Sequence, residues 1–224
     1  MTMESKTIKP SDFDNTKYRV DKKPLYEFIK RFFDIFLSLL AIIVLSPVMI
    51  ILSIIIKCTS KGPVIFSHKR VGQYGKQIKI YKFRSMVENA EELMNQFTPE
   101  QKAEYEKNFK LENDPRITKI GKIMRKTSLD ELPQLFNILK GDISIVGPRP
   151  VMEVETEIYG NYKDMLLSIK PGLTGFWAAN GRSDTTYKRR RAMEIYYVKN
   201  RSLLFDIKII FQTIVSVFKG DGAR

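Results

Sequence analysis

From Phe32 to Ile56 the chain runs for 25 residues with Asp34 as its only charge, and Ile, Leu, Val and Phe dominate the stretch. A fully buried core helix is a poor fit at this length, whereas about 20 such residues already reach across the hydrocarbon of a bilayer. A cleaved leader also fits badly, because the polar lead is too long and Lys57-Cys58-Thr59-Ser60-Lys61 offers no small-residue cleavage site. Lys22, Lys23, Lys30 and Arg31 precede the run and Lys57, Lys61, Lys69 and Arg70 follow it. The rule that positive flanks stay in the cytoplasm therefore puts both ends on one side. Ser46-Pro47 stands at the middle, where proline removes a helix hydrogen bond and serine re-satisfies a freed backbone group. The reading is a re-entrant helical hairpin over residues 24–60, kinked at Ser46-Pro47, that enters one leaflet and returns. The plainer alternative is one membrane-crossing helix with a proline kink. Ahead of it, residues 1–23 are polar with no periodic apolar face and are expected to form a mobile arm.

Residues 61–224 read as a small soluble domain of α/β content, of the α+β kind. Residues 63–67 and 77–81 alternate apolar and polar around Gly72-Gln73-Tyr74-Gly75, the pattern of a β-hairpin. Lys82 and Arg84 continue the second strand, two cations on one face that suit an anionic ligand. Residues 88–110 are charged and helical in composition, broken near Thr98-Pro99, and read as a solvated excursion without chemistry. Residues 153–169 read as one helix. The glycine-rich turn 170–177, with the only tryptophan, and the turn Asn180-Gly181-Arg182 are either phosphate loops or plain surface turns. Lys188-Arg189-Arg190-Arg191 suits anionic lipid or nucleic acid equally. Beyond it Leu203, Leu204, Ile207, Ile210, Phe211, Ile214 and Phe218 make an amphipathic stripe, with Asp206 and Lys208 off it, for the membrane interface or the core.

The densest chemistry lies between Arg125 and Arg149. Thr127 and Ser128 are placed to cap a helix whose first turn holds Asp130 and Glu131, where the positive end of the helix dipole favours ionised carboxylates. Leu132, Leu135, Phe136 and Leu139 give that helix an apolar face, Gly141 stops it, a strand 143–146 follows, and Gly147-Pro148-Arg149-Pro150 makes a rigid turn that presents an arginine. Ionised carboxylates beside arginines are what chemistry on a phosphate ester requires: a nucleophile or metal ligand, with cations to neutralise the phosphoryl oxygens. A capped helix whose acidic residues merely suit its dipole is the competing explanation.

The formal charge of +13 calls for a polyanionic partner without choosing among nucleic acid, an anionic membrane and a phosphorylated substrate. One cysteine, Cys58, excludes an internal disulfide, and one histidine, His68, excludes a histidine-rich zinc site and reads as a surface residue. Walker loops, dinucleotide fingerprints and internal repeats are absent from the sequence.

The ordered set Lys-Arg-Phe-Phe-Asp34, Ser46-Pro47, Tyr-Lys-Phe-Arg-Ser-Met86, Asn-Asp-Pro-Arg-Ile-Thr118, Thr-Ser-Leu-Asp-Glu-Leu-Pro-Gln-Leu-Phe-Asn137, Lys-Gly-Asp142, Val-Gly-Pro-Arg-Pro150, Pro-Gly-Leu-Thr-Gly175, Asn-Gly-Arg182 and Tyr-Tyr-Val198 resembles the bacterial sugar transferase family. These are the monotopic polyprenyl-phosphate phosphoglycosyl transferases, and the resemblance runs from about Tyr26 onward, in a short form with only a polar arm ahead of the hairpin. It implies a domain on the cytoplasmic face of a bacterial cell membrane, magnesium, and transfer of a sugar 1-phosphate from a UDP-sugar to undecaprenyl phosphate with release of UMP. Nucleic acid is then not the partner. The resemblance further implies that Asp130 attacks the β-phosphate to form a covalent phosphosugar intermediate, and that Glu131 assists or shares the magnesium with it. Arg125, Arg149 and Arg182 match the phosphate-contacting arginines, with Lys82 and Arg84 as further candidates. The sequence around Arg182 leans toward a hexose, glucose or galactose, in exopolysaccharide or capsule assembly; an N-acetylated or diamino sugar is the alternative. Other pathway glycosyltransferases are the expected partners, and a homo-oligomer is open. The rival from another class is a basic membrane-binding module without catalysis.

Overall fold

The computed structural model describes residues 20–108, 111, 113–180 and 186–219. The expected polar arm falls almost wholly outside them. Helix α1, Pro24–Thr59, starts with a proline, which is tolerated where no intrahelical N–H bond is lost. It continues through Pro47 as one helical element of 36 residues. Ser46 Oγ donates to Ile43 O at 2.8 Å, the back-bond anticipated beside the proline.

One stripe of α1 meets the rest of the molecule at helical spacing. Asp34, Ser38, Leu52 and Ile56 are buried, with Ala41, Ile42, Leu45 and Met49 half-buried between them. Arg31 donates to Ile138 O and Leu139 O, and the Asp34 carboxylate accepts from Ser144 Oγ and Ile145 N. Contact therefore persists from Arg31 to Ile56, about 37 Å of helix axis. The other faces expose Phe28, Phe32, Phe36, Ile43, Val44 and Ile54, among others, and only 11% of the most apolar window is buried.

Strands β1, Ile65–Val71, and β2, Gln77–Phe83, pair antiparallel with Phe66 opposite Lys82 and Arg70 opposite Ile78. The first strand runs further than the sequence pattern, to Val71, where it also bridges Val151. Ile78 and Ile80 point into a core with Leu135, Ile138 and Ile143, closed by Ala41, Ile42 and Leu45 of α1. Each such residue stabilises the fold by about 2 kcal/mol through burial.

Between the strands and the central motif lie α2, Ala90–Met94, and α3, Pro99–Asn108. The excursion is less solvated than its composition suggests, because Phe97 is buried and the Arg116 guanidinium sits 5.0 Å from its ring and 5.4 Å from that of Tyr105. Helices α4, Lys119–Thr127, and α5, Gln134–Lys140, then flank the carboxylate pair. Strand β3, Ser144–Val146, pairs in parallel with β4, Gly172–Thr174, and the glycines of both motifs are required because a Cβ on Gly172 would strike the Gly147 backbone.

The stretch expected as one helix over 153–169 is α6, Glu153–Thr156, a 3-10 segment Glu157–Tyr162 and α7, Lys163–Leu167. Gly160 at φ 51° breaks it. Three helices complete the chain: α8, Phe176–Ala179; α9, Tyr187–Asn200; and α10, Leu203–Lys219. In α10 the expected polar residue Asp206 is buried and accepts from Tyr26 Oη, Lys30 Nζ and Tyr197 Oη, tying α10 to the start of α1. Leu204, Ile207, Phe211 and Ile214 face outward, while Leu203 and Ile210 are half-buried, Ile210 against Val146, Tyr197 and Ile209, so the stripe read from sequence is shared between the exposed side and the core. The result is a helix-rich mixed α/β domain with one long apolar helix laid along it.

Candidate active site

The carboxylate pair does not open a helix. Thr127 ends α4 and turns its hydroxyl back to Ile123 O, Ser128 is left-handed at φ 57°, and Leu129–Glu131 is a single 3-10 turn. Helix α5 begins only at Gln134, after Pro133, so its dipole starts beyond the carboxylates. What replaces it is a tight turn that places Asp130 inside, 7% exposed, and Glu131 half-buried beside it. A left-handed serine is a strained position of the kind that accumulates at working sites.

Two cations converge on this turn. Lys82, the last polar residue of β2, brings its Nζ to 2.6 Å from Glu131 Oε1 and 3.9 Å from Asp130 Oδ2. Arg125, on the last turn of α4, donates from Nε to Ser85 Oγ at 2.9 Å and lies in the electrostatic neighbourhood of Asp130. Gly121 lets α4 approach that closely, since any Cβ there would collide with the Ser85 backbone. The N-terminus of α4 is fixed by Thr118, whose hydroxyl accepts from Gly121 N. Burial pushes the Asp130 carboxyl above the ordinary aspartate range; Lys82 and Arg125 pull it back, while Glu131 adds to the rise. Arg125 is itself held below the usual guanidinium range by burial.

The remaining predicted residues divide. Arg84 is not on the face of Lys82: the strand ends at Phe83, and Arg84 turns to donate to Ser60 O and Oγ at 2.8 Å, closing the C-terminus of α1. Arg149 belongs to a second cluster. Its turn is pinned by Gly147 N to Thr174 O, Gly172 N to Pro148 O, and Arg149 N to Glu194 Oε1. Its guanidinium lies 5.6 Å from the Trp177 ring centre, where Arg190 stands at 4.6 Å. Arg182 lies outside the described residues. Ser46 and Pro47 are in the middle of α1, half-buried and exposed, and take no part in either cluster.

Arg190 was hidden in a basic run that reads as a solvated face. It is 7% exposed, and the signal that separates it from its neighbours is Glu194 one helical turn on, whose Oε1 lies 3.6 Å away. Exposed His68 stands on β1 between the clusters, its basicity lowered by partial burial and by the charges of Arg70 and Lys82.

For a hard divalent cation such as magnesium the donor set is suitable. Asp130 and Glu131 would offer adjacent oxygen donors, and magnesium commonly takes one or two carboxylates together with substrate phosphates. Among the described residues no group of three or more metal-ligating side chains occurs, so the rest of a coordination shell would come from substrate and water.

Comparison with known proteins follows the same residues. The chain is 50% identical over 88% of its length to the undecaprenyl-phosphate galactose phosphotransferase of Salmonella typhimurium, covering 42% of that protein. It is 42% identical over 90% of its length to the exopolysaccharide production protein ExoY of Sinorhizobium fredii, covering 90% of it. It is 41% identical over 86% of its length to the UDP-glucose:undecaprenyl-phosphate glucose-1-phosphate transferase of Escherichia coli, covering 40% of that protein. The chain thus spans about two fifths of the Salmonella and Escherichia relatives and nearly all of ExoY. The bacterial sugar transferase model matches residues 25–220, from the start of α1 to the end of α10, with both clusters inside the match, and the chain belongs to that family.

Proposed function

We propose that this chain is a phosphoglycosyl transferase that moves a sugar 1-phosphate, glucose or galactose 1-phosphate, from its UDP-sugar to undecaprenyl phosphate, releasing UMP. The observation that carries the reading is the turn at Asp130-Glu131, a buried carboxylate pair under Lys82 and Arg125, in a chain whose relatives are named for this reaction.

In the first step an Asp130 carboxylate oxygen bonds to the β-phosphorus, the bond from that phosphorus to the bridging oxygen breaks, and UMP leaves with the electron pair. In the second, an oxygen of the polyprenyl phosphate attacks the same phosphorus and Asp130 is released. The carboxylate needs no separate base, because Lys82 and Arg125 favour its ionised form against the burial that opposes it. Asp130 and Glu131 would hold magnesium, whose charge offsets the repulsion between a carboxylate and a diphosphate.

The acceptor lives in a membrane, and α1 is the element that meets it. Contact with the domain from Arg31 to Ile56 supports a helix that stays in one leaflet with the domain on the cytoplasmic side. A helix crossing about 30 Å of hydrocarbon would draw those domain contacts in with it. The outward apolar residues of α10 support a second contact with the interface. The cytoplasmic reading is tested by labelling cysteines placed in the residue 5–20 arm of intact cells, where access from outside overturns it.

The reaction is tested by UMP release from UDP-glucose, UDP-galactose and their N-acetylated counterparts with undecaprenyl phosphate and magnesium. Release with one donor, lost in Asp130→Asn, is the expected outcome. Release that persists in Asp130→Asn removes the covalent step.

A further inference from the structure

We infer that Arg149 and Arg190 over Trp177, with Arg70 in their electrostatic neighbourhood at the end of β1, form the station for the nucleotide end of the donor: a site for a pyrimidine nucleoside monophosphate, with the base on the indole and the phosphate among the guanidiniums. This rests on the transfer reaction proposed above, and it assigns to a separate cluster the half of the substrate that leaves.

Three observations carry it. Arg190 is 7% exposed, yet its Nε and Nη2 have no hydrogen-bond partner among the described residues. Glu155 Oε1 and Glu194 Oε1 form ion pairs with it at 3.6 Å, beyond hydrogen-bond length, while Glu155 Oε2 accepts from Met152 N at 2.8 Å and Glu194 accepts from Tyr159 Oη at 2.7 Å and from Arg149 N. Buried guanidinium donors are rarely left unmatched unless a ligand supplies the acceptor. Second, among the described residues three arginines share this neighbourhood with Glu155 and Glu194, and burial, with the like charges of Arg149 and Arg190 outweighing Glu155, brings Arg70 down to about 10. The third observation is the aromatic floor. Arg149, exposed, and Arg190, buried, both lie over Trp177, so a base that displaced Arg149 would meet the ring beside the guanidinium of Arg190. An indole face vacated beside fixed guanidiniums is a stacking platform for a base with an anion at its edge.

Position agrees with the chemistry. Lys82, beside Asp130, is opposite Phe66 on β1, and Arg70 is four residues further along the same strand face, about 13 Å away at the backbone. Extended lysine and arginine side chains reaching toward each other span that separation, so neighbouring phosphates of one diphosphate come within reach of both groups. The arrangement suits a nucleotide sugar whose reacting phosphate is at Asp130 and whose nucleoside lies along β1 toward Trp177.

Trp177 is the only tryptophan, so its fluorescence in the full detergent-solubilised chain reports the site directly. UMP is expected to change that emission saturably, with inorganic phosphate at least tenfold weaker. Arg190→Gln and the exposed-site variant Arg149→Gln are each expected to weaken UMP about tenfold, with the unfolding midpoint recorded beside each. Trp177→Phe is expected to keep UMP binding by equilibrium dialysis and Trp177→Ala to lose about tenfold. No response to UMP, or equal affinity for inorganic phosphate and UMP, overturns the inference while leaving Asp130 chemistry intact. A UMP response that weakens in Arg149→Gln, in a protein that releases no UMP from any donor, supports this site and sinks the reaction instead.

Discussion

Two buried aspartates, Asp34 and Asp130, are 4% and 7% exposed and are treated in opposite ways. Asp34 has its carboxylate matched by β3, with Ser144 Oγ at 3.0 Å and Ile145 N at 2.9 Å, and it joins the apolar helix to the domain. Asp130 has its nearest lysine 3.9 Å away, a like-charged Glu131 next in the chain and a left-handed residue two positions before it. A carboxylate whose oxygen is held by two donors, as Asp34 Oδ1 is, stabilises its surroundings and is a weaker nucleophile for it. An under-matched one costs stability and retains a nucleophilic oxygen, which is how structural and reactive acids in one fold are told apart.

The sharpest way to break that contrast is to neutralise Asp130. Asp130→Asn is expected to lower UMP release more than a thousandfold, about 4 kcal/mol in barrier. Its stability should rise at neutral pH. Because burial holds the folded carboxyl above its unfolded value, the ionised form costs stability above the folded value, and the cost fades as pH falls through it toward the unfolded value. The difference in unfolding midpoint between Asp130→Asn and the parent should therefore shrink in acid. A variant that is less stable at neutral pH would make Asp130 a structural residue like Asp34.

The reciprocal change comes next. Asp34→Ala strands a buried hydroxyl and a backbone N–H, and is expected to cost about 3 kcal/mol in unfolding free energy. Activity per folded molecule should be retained, measured as turnover normalised to the fraction resistant to proteolysis. Loss of turnover without loss of stability would show that the helix-to-domain joint also shapes the site.

Lys82 sharpens the comparison by changing how under-matched Asp130 is. Lys82→Met removes the first cation that favours the ionised carboxylate, so the acid limb of the activity profile should move to higher pH. The rate near neutrality should fall roughly ten- to thirtyfold, as for a hydrogen bond to a charged group worth about 1.5–2 kcal/mol. An unmoved acid limb would mean that the limb reports another group.

How much of this was legible beforehand depends on range. Local chemistry was readable: the β-hairpin, the stop at Gly141 with φ 88°, the chain from β3 into the Pro-Arg turn, and the pairing of acidic residues with basic ones. The Asp130 turn was misread as a capped helix because Ser128 has the right chemistry for a cap, yet Pro133 delays α5 until Gln134. Long-range relations were not readable. Periodicity marked the apolar stripe of α10 but did not reveal that Asp206 would face inward to Tyr26, Lys30 and Tyr197, because two of these partners, Tyr26 and Lys30, lie 180 and 176 residues away. Arg190 was lost in a basic run although Glu194 stands one turn on, because its other partner, Glu155, lies on α6.

Arg84 gives the smallest and most exacting version of the contrast, since it is two residues from Lys82 and matches the same family motif. The structure commits it to Ser60, and its Nε and Nη1 are buried without a hydrogen-bond partner among the described residues. Replacing such a cation with an apolar side chain of similar length loses the two bonds to Ser60 and also relieves the desolvated charge, two effects of similar size and opposite sign. Arg84→Met should therefore change unfolding free energy by no more than about 1 kcal/mol. The Michaelis constant for the UDP-sugar should stay within about twofold, roughly 0.4 kcal/mol. A tenfold rise in that constant with unchanged stability would bring Arg84 to the substrate, and the division between a strand residue that serves the site and one that serves the helix would have to be redrawn at Phe83.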